Sequence, residues 1–162
     1  MAKTREVCES CFEYLNIAMV EWVVQSSDGS KEDIFLKLER LGFLTGQKIS
    51  ERITRKRPRF QNDLERIKFI CKEFWKEVFL KHVDNLRTNH RGVYVLRDND
   101  FHWLTRVSAN GPWTKEMAQN YIIFPAGLIR GILHNLGIAS IVTADTKELP
   151  GCTFTIKIIT NP

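Results

Sequence analysis

The stretch Thr153-Phe154-Thr155-Ile156-Lys157-Ile158-Ile159 decides the fold. Phe154, Ile156 and Ile158 alternate with Thr153, Thr155 and Lys157, so a strand here has one covered face and one solvated face. That pattern fits an antiparallel sheet rather than a parallel sheet buried on both sides. Just upstream, Ile138 to Ala144 reads as a second strand, joined to the first by a turn around Leu149-Pro150-Gly151. Further back, Val93-Tyr94-Val95-Leu96, the turn residues Asp98-Asn99-Asp100 and Phe101-His102-Trp103-Leu104 read as a β-hairpin. Between the two strand pairs, after a break at Asn110-Gly111-Pro112, helical character runs from about Lys115 to Leu136. Pro125 either kinks this segment or starts a fresh helix, and Gly137 suits the position after its end.

The first half is helical. From Cys11, the residues Leu15, Ala18 and Trp22 recur at three or four positions, with Phe12, Met19 and Val23 beside them. The run from Ser26 to Ser30 breaks this helix, and Ser30 is a fair cap for the next, which carries Ile34, Phe35, Leu38, Leu41 and Ile49. Gly42 and Gly46 interrupt that stripe. At about 1 kcal/mol each in a helix interior, they imply close approach of another backbone or a local unwinding. A third helix, capped by Asn62 or Asp63 and ending near Asp84, is apolar over more than half its circumference (Leu64, Ile67, Ile70, Cys71, Phe74, Trp75, Val78, Phe79) and is expected to be the central one. The order αααββαββ predicts a single α+β domain over residues 1–162. It has two layers, with helices packed on one face of a four-stranded antiparallel sheet.

The 24 Lys and Arg against 19 Asp and Glu leave a net charge of +5. The excess sits in Arg52-Ile53-Thr54-Arg55-Lys56-Arg57-Pro58-Arg59, which holds Arg52, Arg55, Lys56, Arg57 and Arg59 and no acid; the rest of the chain is neutral. This link has three readings: a solvated loop, a nucleic-acid contact, or a contact with an anionic membrane or acidic partner. Nucleic-acid binding wants interleaved aromatics for stacking, and only Phe60 is adjacent. Five basic residues supply at most roughly 5 kcal/mol toward an anionic bilayer, enough to assist an assembly but not to anchor a lone protein. Met1 to Glu6 is polar, without the apolar stretch of a signal peptide. The most apolar region, Met117 to Ile129, has only 13 residues before Arg130 interrupts it, well short of the roughly 20 residues of a bilayer span. The expected location is cytoplasmic.

No catalytic constellation appears: there is no G-x-S-x-G, P-loop, G-x-G-x-x-G or H-E-x-x-H. Asp98-Asn99-Asp100 is explained by its turn, and His90 after Arg87-Thr88-Asn89 by a hydrogen-bonded connection. The cysteines at 8, 11, 71 and 152 read as reduced thiols. Cys8-x-x-Cys11 has no second pair of soft ligands, and the four histidines lack the spacing that pairs ligands on one helix face. No metal, cofactor or small-molecule substrate is expected. The aromatic load of the first two helices (Phe12, Tyr14, Trp22, Phe35, Phe43) belongs either to the core or to a protein–protein interface.

Three collinear blocks resemble the sixth-subunit type of the transport protein particle (TRAPP) small-subunit family. The first is Leu38-Glu39, Leu41-Gly42-Phe43, Gly46-Gln47 and Glu51-Arg52. The second is Lys68 to Lys72, Trp75, Phe79, Lys81, Leu86-Arg87-Thr88-Asn89-His90, Gly92, Tyr94-Val95-Leu96, Asp98-Asn99 and Phe101. The third is Gly127-Leu128, Arg130-Gly131, Leu136-Gly137-Ile138, Val142-Thr143-Ala144, Leu149-Pro150, Cys152 and Phe154. The resemblance implies a non-catalytic scaffold subunit that pairs through its first two helices with the third-subunit paralogue. The complex so built tethers vesicles and activates Rab GTPases by nucleotide exchange, in endoplasmic-reticulum-to-Golgi and Golgi traffic. It also implies a peripheral location at cis-Golgi and ER-Golgi membranes. The paralogue carries an acyl-accepting cysteine just before its third helix, whereas Arg57-Pro58-Arg59-Phe60 here has none, so no covalent lipid is expected.

With the two-faced helices, the resemblance makes Leu15, Met19, Trp22, Phe35, Leu38 and Leu41 the interface candidates. Two rival functions remain. A free-standing lipid-binding protein would carry a fatty acid on purification. A basic nucleic-acid module would bind in a salt-sensitive way through Arg52 to Arg59.

Overall fold

The structure is a computed structural model that describes residues 8–109 and 115–159. The break expected at Asn110-Gly111-Pro112 and the polar Met1 to Glu6 segment lie outside the described residues. Two long helices come first, α1 (Glu9–Gln25) and α2 (Lys31–Thr54). Ser30 caps α2 by accepting from the Asp33 amide at 3.3 Å. The third helical segment is α3 (Asp63–Phe69), a π-helical turn (Ile70–Phe74) and α4 (Trp75–Phe79). Asn62 is its cap, accepting from the Glu65 amide at 2.8 Å, while the Glu65 carboxylate accepts from the Gln61 amide. This segment stops at Leu80, whose left-handed φ of 62° terminates it four residues before the expected end.

The first strand pair differs from the sequence expectation. The hairpin is β1 (Asn85–Thr88) with β2 (Val93–Asp98), turning through Asn89 to Gly92, where His90 and Gly92 have positive φ. Asn89 Oδ1 accepts from the amides of Arg91 and Val93 and holds the turn. Phe101 to Leu104, expected as a strand, instead leads into α5 (His102–Ala109). Phe101, Trp103 and Leu104 are all buried, so this run lacks the alternation of a half-exposed strand. A four-residue apolar run cannot by itself distinguish strand from helix.

Then come α6 (Lys115–Asn135), β3 (Ser140–Asp145) and β4 (Cys152–Ile158). α6 continues through Pro125, and Gly137 follows its end with φ 81°. The sheet order is β1-β2-β4-β3, antiparallel throughout. Register aligns Leu86, Leu96, Phe154 and Ala144 in one row, and Thr88, Tyr94, Ile156 and Val142 in the next; these rows face the helices. The alternate row Arg87, Val95, Thr155 and Thr143 faces out. The alternation read from the last strand is thus the alternation of the whole sheet.

The centre belongs to α6 rather than to the third helical segment, because α6 touches α1, α2, α5 and β3. Its run from Tyr121 to Leu133 carries one charge, Arg130, and that guanidinium pairs with Glu39 of α2. The α2–α6 seam is backbone against backbone. A Cβ placed on Gly42 would lie 2.2 Å from the Phe124 carbonyl oxygen, and one on Gly131 would lie 2.1 Å from that of Phe43. Gly42 and Gly46 therefore mark close approach, not unwinding.

An aromatic cluster of Trp75, Phe79, Phe101, Trp103 and Phe154 joins α4, α5 and the sheet, with centroids 4.6 to 6.4 Å apart. Asp98 is buried beneath it. It accepts from Trp75 Nε1 at 2.9 Å and from Lys81 Nζ at 2.6 Å, so the carboxylate is both neutralised and hydrogen-bonded.

Candidate interaction surface

The apolar stripe of α1 points away from the core. Cys11, Leu15, Ala18 and Trp22 share one face and all are exposed, Leu15 at 66% and Trp22 at 65%. The opposite face, Glu13, Asn16, Val20 and Val23, is the buried one. Two polar side chains face inward while a tryptophan and a leucine face water, the reverse of what burial alone would select. An exposed apolar stripe of this kind is surface that a protein–protein contact would cover.

On α2 the residues at four-residue spacing, Ile34, Leu38, Gly42, Gly46 and Ser50, form the buried ridge against α6. Leu36, Leu41 and Leu44 are exposed. Leu38, an interface candidate from the sequence, has 0% exposure and is a core residue; its place on the ridge with the glycines is the reason. Met19 is half-buried against the core. Phe35 stands apart from Leu41 around the helix and lines a groove of about 620 Å³ with Ile34, Met117, Ile123 and Val142. Of the six candidates, Leu15, Trp22, Phe35 and Leu41 are exposed, and Met19 and Leu38 are not. Tyr14, one of the aromatics that the sequence left between core and interface, is exposed, and the sequence reading missed Leu36 and Leu44, which are exposed too. Periodicity finds a helix's apolar face, but it does not say whether that face meets the chain's own core.

The basic link is more structured than a loop. α2 extends into it through Thr54. Arg52 pairs with Glu77 at 2.9 Å and Arg57 with Glu73 at 2.7 Å, and the Arg57 guanidinium lies over the rings of Phe60 and Phe69. Arg55, Lys56 and Arg59 are exposed and pair with no carboxylate among the described residues. Three of the five charges are therefore available to a partner.

Cys8 and Cys11 are exposed free thiols, and Cys71 and Cys152 are buried. Hydrogen bonding from Ser10 lowers the Cys8 pKa, whereas burial pushes Cys71 up to about 12. No helix among the described residues is long and apolar enough to cross a membrane.

Fold and surface together define a class: a small α+β chain with apolar side chains left over on its first two helices. The profile of the Transport protein particle (TRAPP) component family matches residues 12–159. The chain belongs to that family. It is 48% identical over 153 residues to the human trafficking protein particle complex subunit 6B, covering 93% of this chain and 96% of that one. It is 45% identical to subunit 6b of Danio rerio over 152 residues, with the same coverage, and 41% identical to human subunit 6A over 151 residues, covering 91% and 94%. Among solved structures, subunit 3 of the trafficking protein particle complex from Naegleria fowleri, covalently bound to palmitic acid, superposes with a TM-score of 0.68. That match has 15% identity and covers 91% of this chain and 95% of that one, a likeness of fold.

Proposed function

We propose that this chain is a non-catalytic scaffold subunit of the TRAPP vesicle-tethering and Rab guanine-nucleotide-exchange complex, acting in ER-to-Golgi and Golgi transport. It does so by pairing through α1 and α2 with the subunit 3 paralogue. The observation that carries the reading is the exposed stripe of α1, with Leu15 and Trp22 about two-thirds exposed. In water this stripe is a standing cost, and a partner helix face removes it. Truncating a tryptophan anchor at the centre of such a contact costs on the order of 2 kcal/mol. Domain 1–162 is the unit that pairs. The basic link, through Arg55, Lys56 and Arg59, adds a peripheral contact with an anionic membrane at the cytoplasmic side of cis-Golgi and ER-Golgi compartments.

The test is co-purification from cells of tagged wild-type chain and of a Leu15→Asp, Trp22→Asp variant. Wild type brings down the subunit 3 paralogue, and the variant loses it while its circular dichroism and thermal midpoint stay unchanged. Equal recovery of the paralogue by both would overturn the reading.

A further inference from the structure

The buried side of α1 holds a site that neither the spacing of cysteines nor that of histidines announces. Glu9, Glu13 and Asn16 fall one turn apart on one face of α1, and His102, the first residue of α5, faces them. One donor atom from each of Glu9, Glu13 and His102 lies within 4.8 Å of the other two. His102 Nε2 is 2.5 Å from Glu9 Oε1 and 3.5 Å from Glu13 Oε1. The close approach is not aligned as a hydrogen bond, because Nε2 has no hydrogen-bond partner. Beside these groups is a small cavity of about 10 Å³, lined by Glu13, Asn16, Ile17, His102 and Trp103. That is room for roughly one water-sized particle. Asn16 is 5% exposed, and its Oδ1 has no hydrogen-bond partner. A buried amide oxygen left without a donor is costly and points to something that fills the cavity.

From this arrangement we infer that the chain binds one divalent transition-metal cation, of the zinc class, through Glu9, Glu13 and His102. Two carboxylates and an imidazole are the mixed oxygen and nitrogen donor set that zinc accepts. At zinc–ligand distances of roughly 2.0–2.2 Å, tetrahedral donors stand roughly 3.3–3.6 Å apart. The His102 to Glu13 distance already meets this, and the Glu9 carboxylate needs to swing outward by about 1 Å. Asn16 Oδ1 then accepts a hydrogen bond from a metal-bound water. The site would tie the first turns of α1 to α5, where Phe12 already packs on Trp103 at 4.9 Å between centroids. It stands independently of the proposed pairing, which uses the opposite face of α1.

Equilibrium dialysis of the full chain against zinc, with bound metal counted by mass spectrometry, tests the inference. Cys8 and Cys11 lie close by, so a Cys8→Ser, Cys11→Ser variant is measured alongside Glu9→Gln and His102→Gln. The glutamate and histidine positions are partly exposed, and circular dichroism checks that both variants fold. One zinc per chain is expected in wild type and in the serine variant, with at least tenfold weaker binding in Glu9→Gln and His102→Gln. Cobalt(II) in the serine variant is expected to give visible ligand-field bands. Absence of stoichiometric zinc at micromolar concentration, or zinc that disappears with the cysteines and survives His102→Gln, would overturn it.

Discussion

Replacing Gly46 by alanine tests the packing on which the helical layer depends. Gly46 lies on the α2 ridge opposite Leu128, and an added Cβ would sit 2.2 Å from the Leu128 carbonyl oxygen and 2.9 Å from its carbonyl carbon. Both are backbone atoms, so no rotamer change relieves the contact. The two helices must separate by roughly 1 Å, and a gap of that size forfeits a quarter to a half of each dispersion contact along the seam. Overpacking of this kind costs about 1–3 kcal/mol. Alanine's better helix propensity returns up to about 1 kcal/mol. A net loss of about 1 kcal/mol follows, which lowers the thermal midpoint by roughly 2–4 °C in a chain of this size. Gly131→Ala, facing the Phe43 carbonyl across the same seam, should behave alike, and the double variant should lose less than the two singles together because one separation serves both. Thermal unfolding followed by circular dichroism reads all three. An unchanged or raised midpoint for Gly46→Ala would refute the backbone contact, since propensity alone would then be acting.

Three further outcomes follow from the described geometry. In a thiol-modification time course, Cys8 and Cys11 should react promptly, with Cys8 the faster because its thiolate is hydrogen-bonded, while Cys71 and Cys152 react only as the chain unfolds. Fast labelling of all four would mean the core is open. Changing Arg55, Lys56 and Arg59 to Gln should remove most salt-sensitive binding to anionic liposomes. Changing Arg52 and Arg57, already paired with Glu77 and Glu73, should matter less; cosedimentation at two salt concentrations separates them. Desolvation works against ionisation of both Lys81 and Asp84, but hydrogen bonding wins in each. Asp98 and Asp84 hold the Lys81 pKa up, and the Asn99 amide and Lys81 hold that of Asp84 down. The lowered carboxylate contributes stability above the unfolded Asp value of about 3.9 that fades as pH falls through its folded value. The raised lysine contributes below about 10.4 and fades as pH rises through its own, so urea midpoints should be flat between and fall at both ends. An acid-side fall unaltered in Asp84→Asn would remove that carboxylate from the account.

Much of the fold was legible because its signals are local. Ser30 and Asn62 announce helix starts, Gly42 and Gly46 announce either a close crossing or an unwinding, and Phe154, Ile156 and Ile158 announce a half-covered sheet. The first hairpin was misread because Phe101 to Leu104 is a short run in which Phe101, Trp103 and Leu104 are all buried, so it carries no period. Asn85–Thr88, the true partner of β2, hides among polar residues at the sheet edge, where strand signals are weakest. The interaction face was half legible. The spacing of Leu15 and Trp22 gave a stripe, but not its direction, and Leu38 shares the same spacing with a core ridge. The Glu9, Glu13 and His102 cluster was not legible at all, because it joins residues some ninety positions apart that only the packing of α5 on α1 brings together.

The central claim, that α1 and α2 present a face built for a paralogous partner, is tested most directly by mass. The purified chain of 18.9 kDa is mixed in equal amounts with the subunit 3 paralogue and passed through size exclusion with multi-angle light scattering. One peak whose mass is that of the two chains together, lost when Leu15→Asp and Trp22→Asp are introduced, is the predicted result. Two separate peaks at the masses of the individual chains would contradict it.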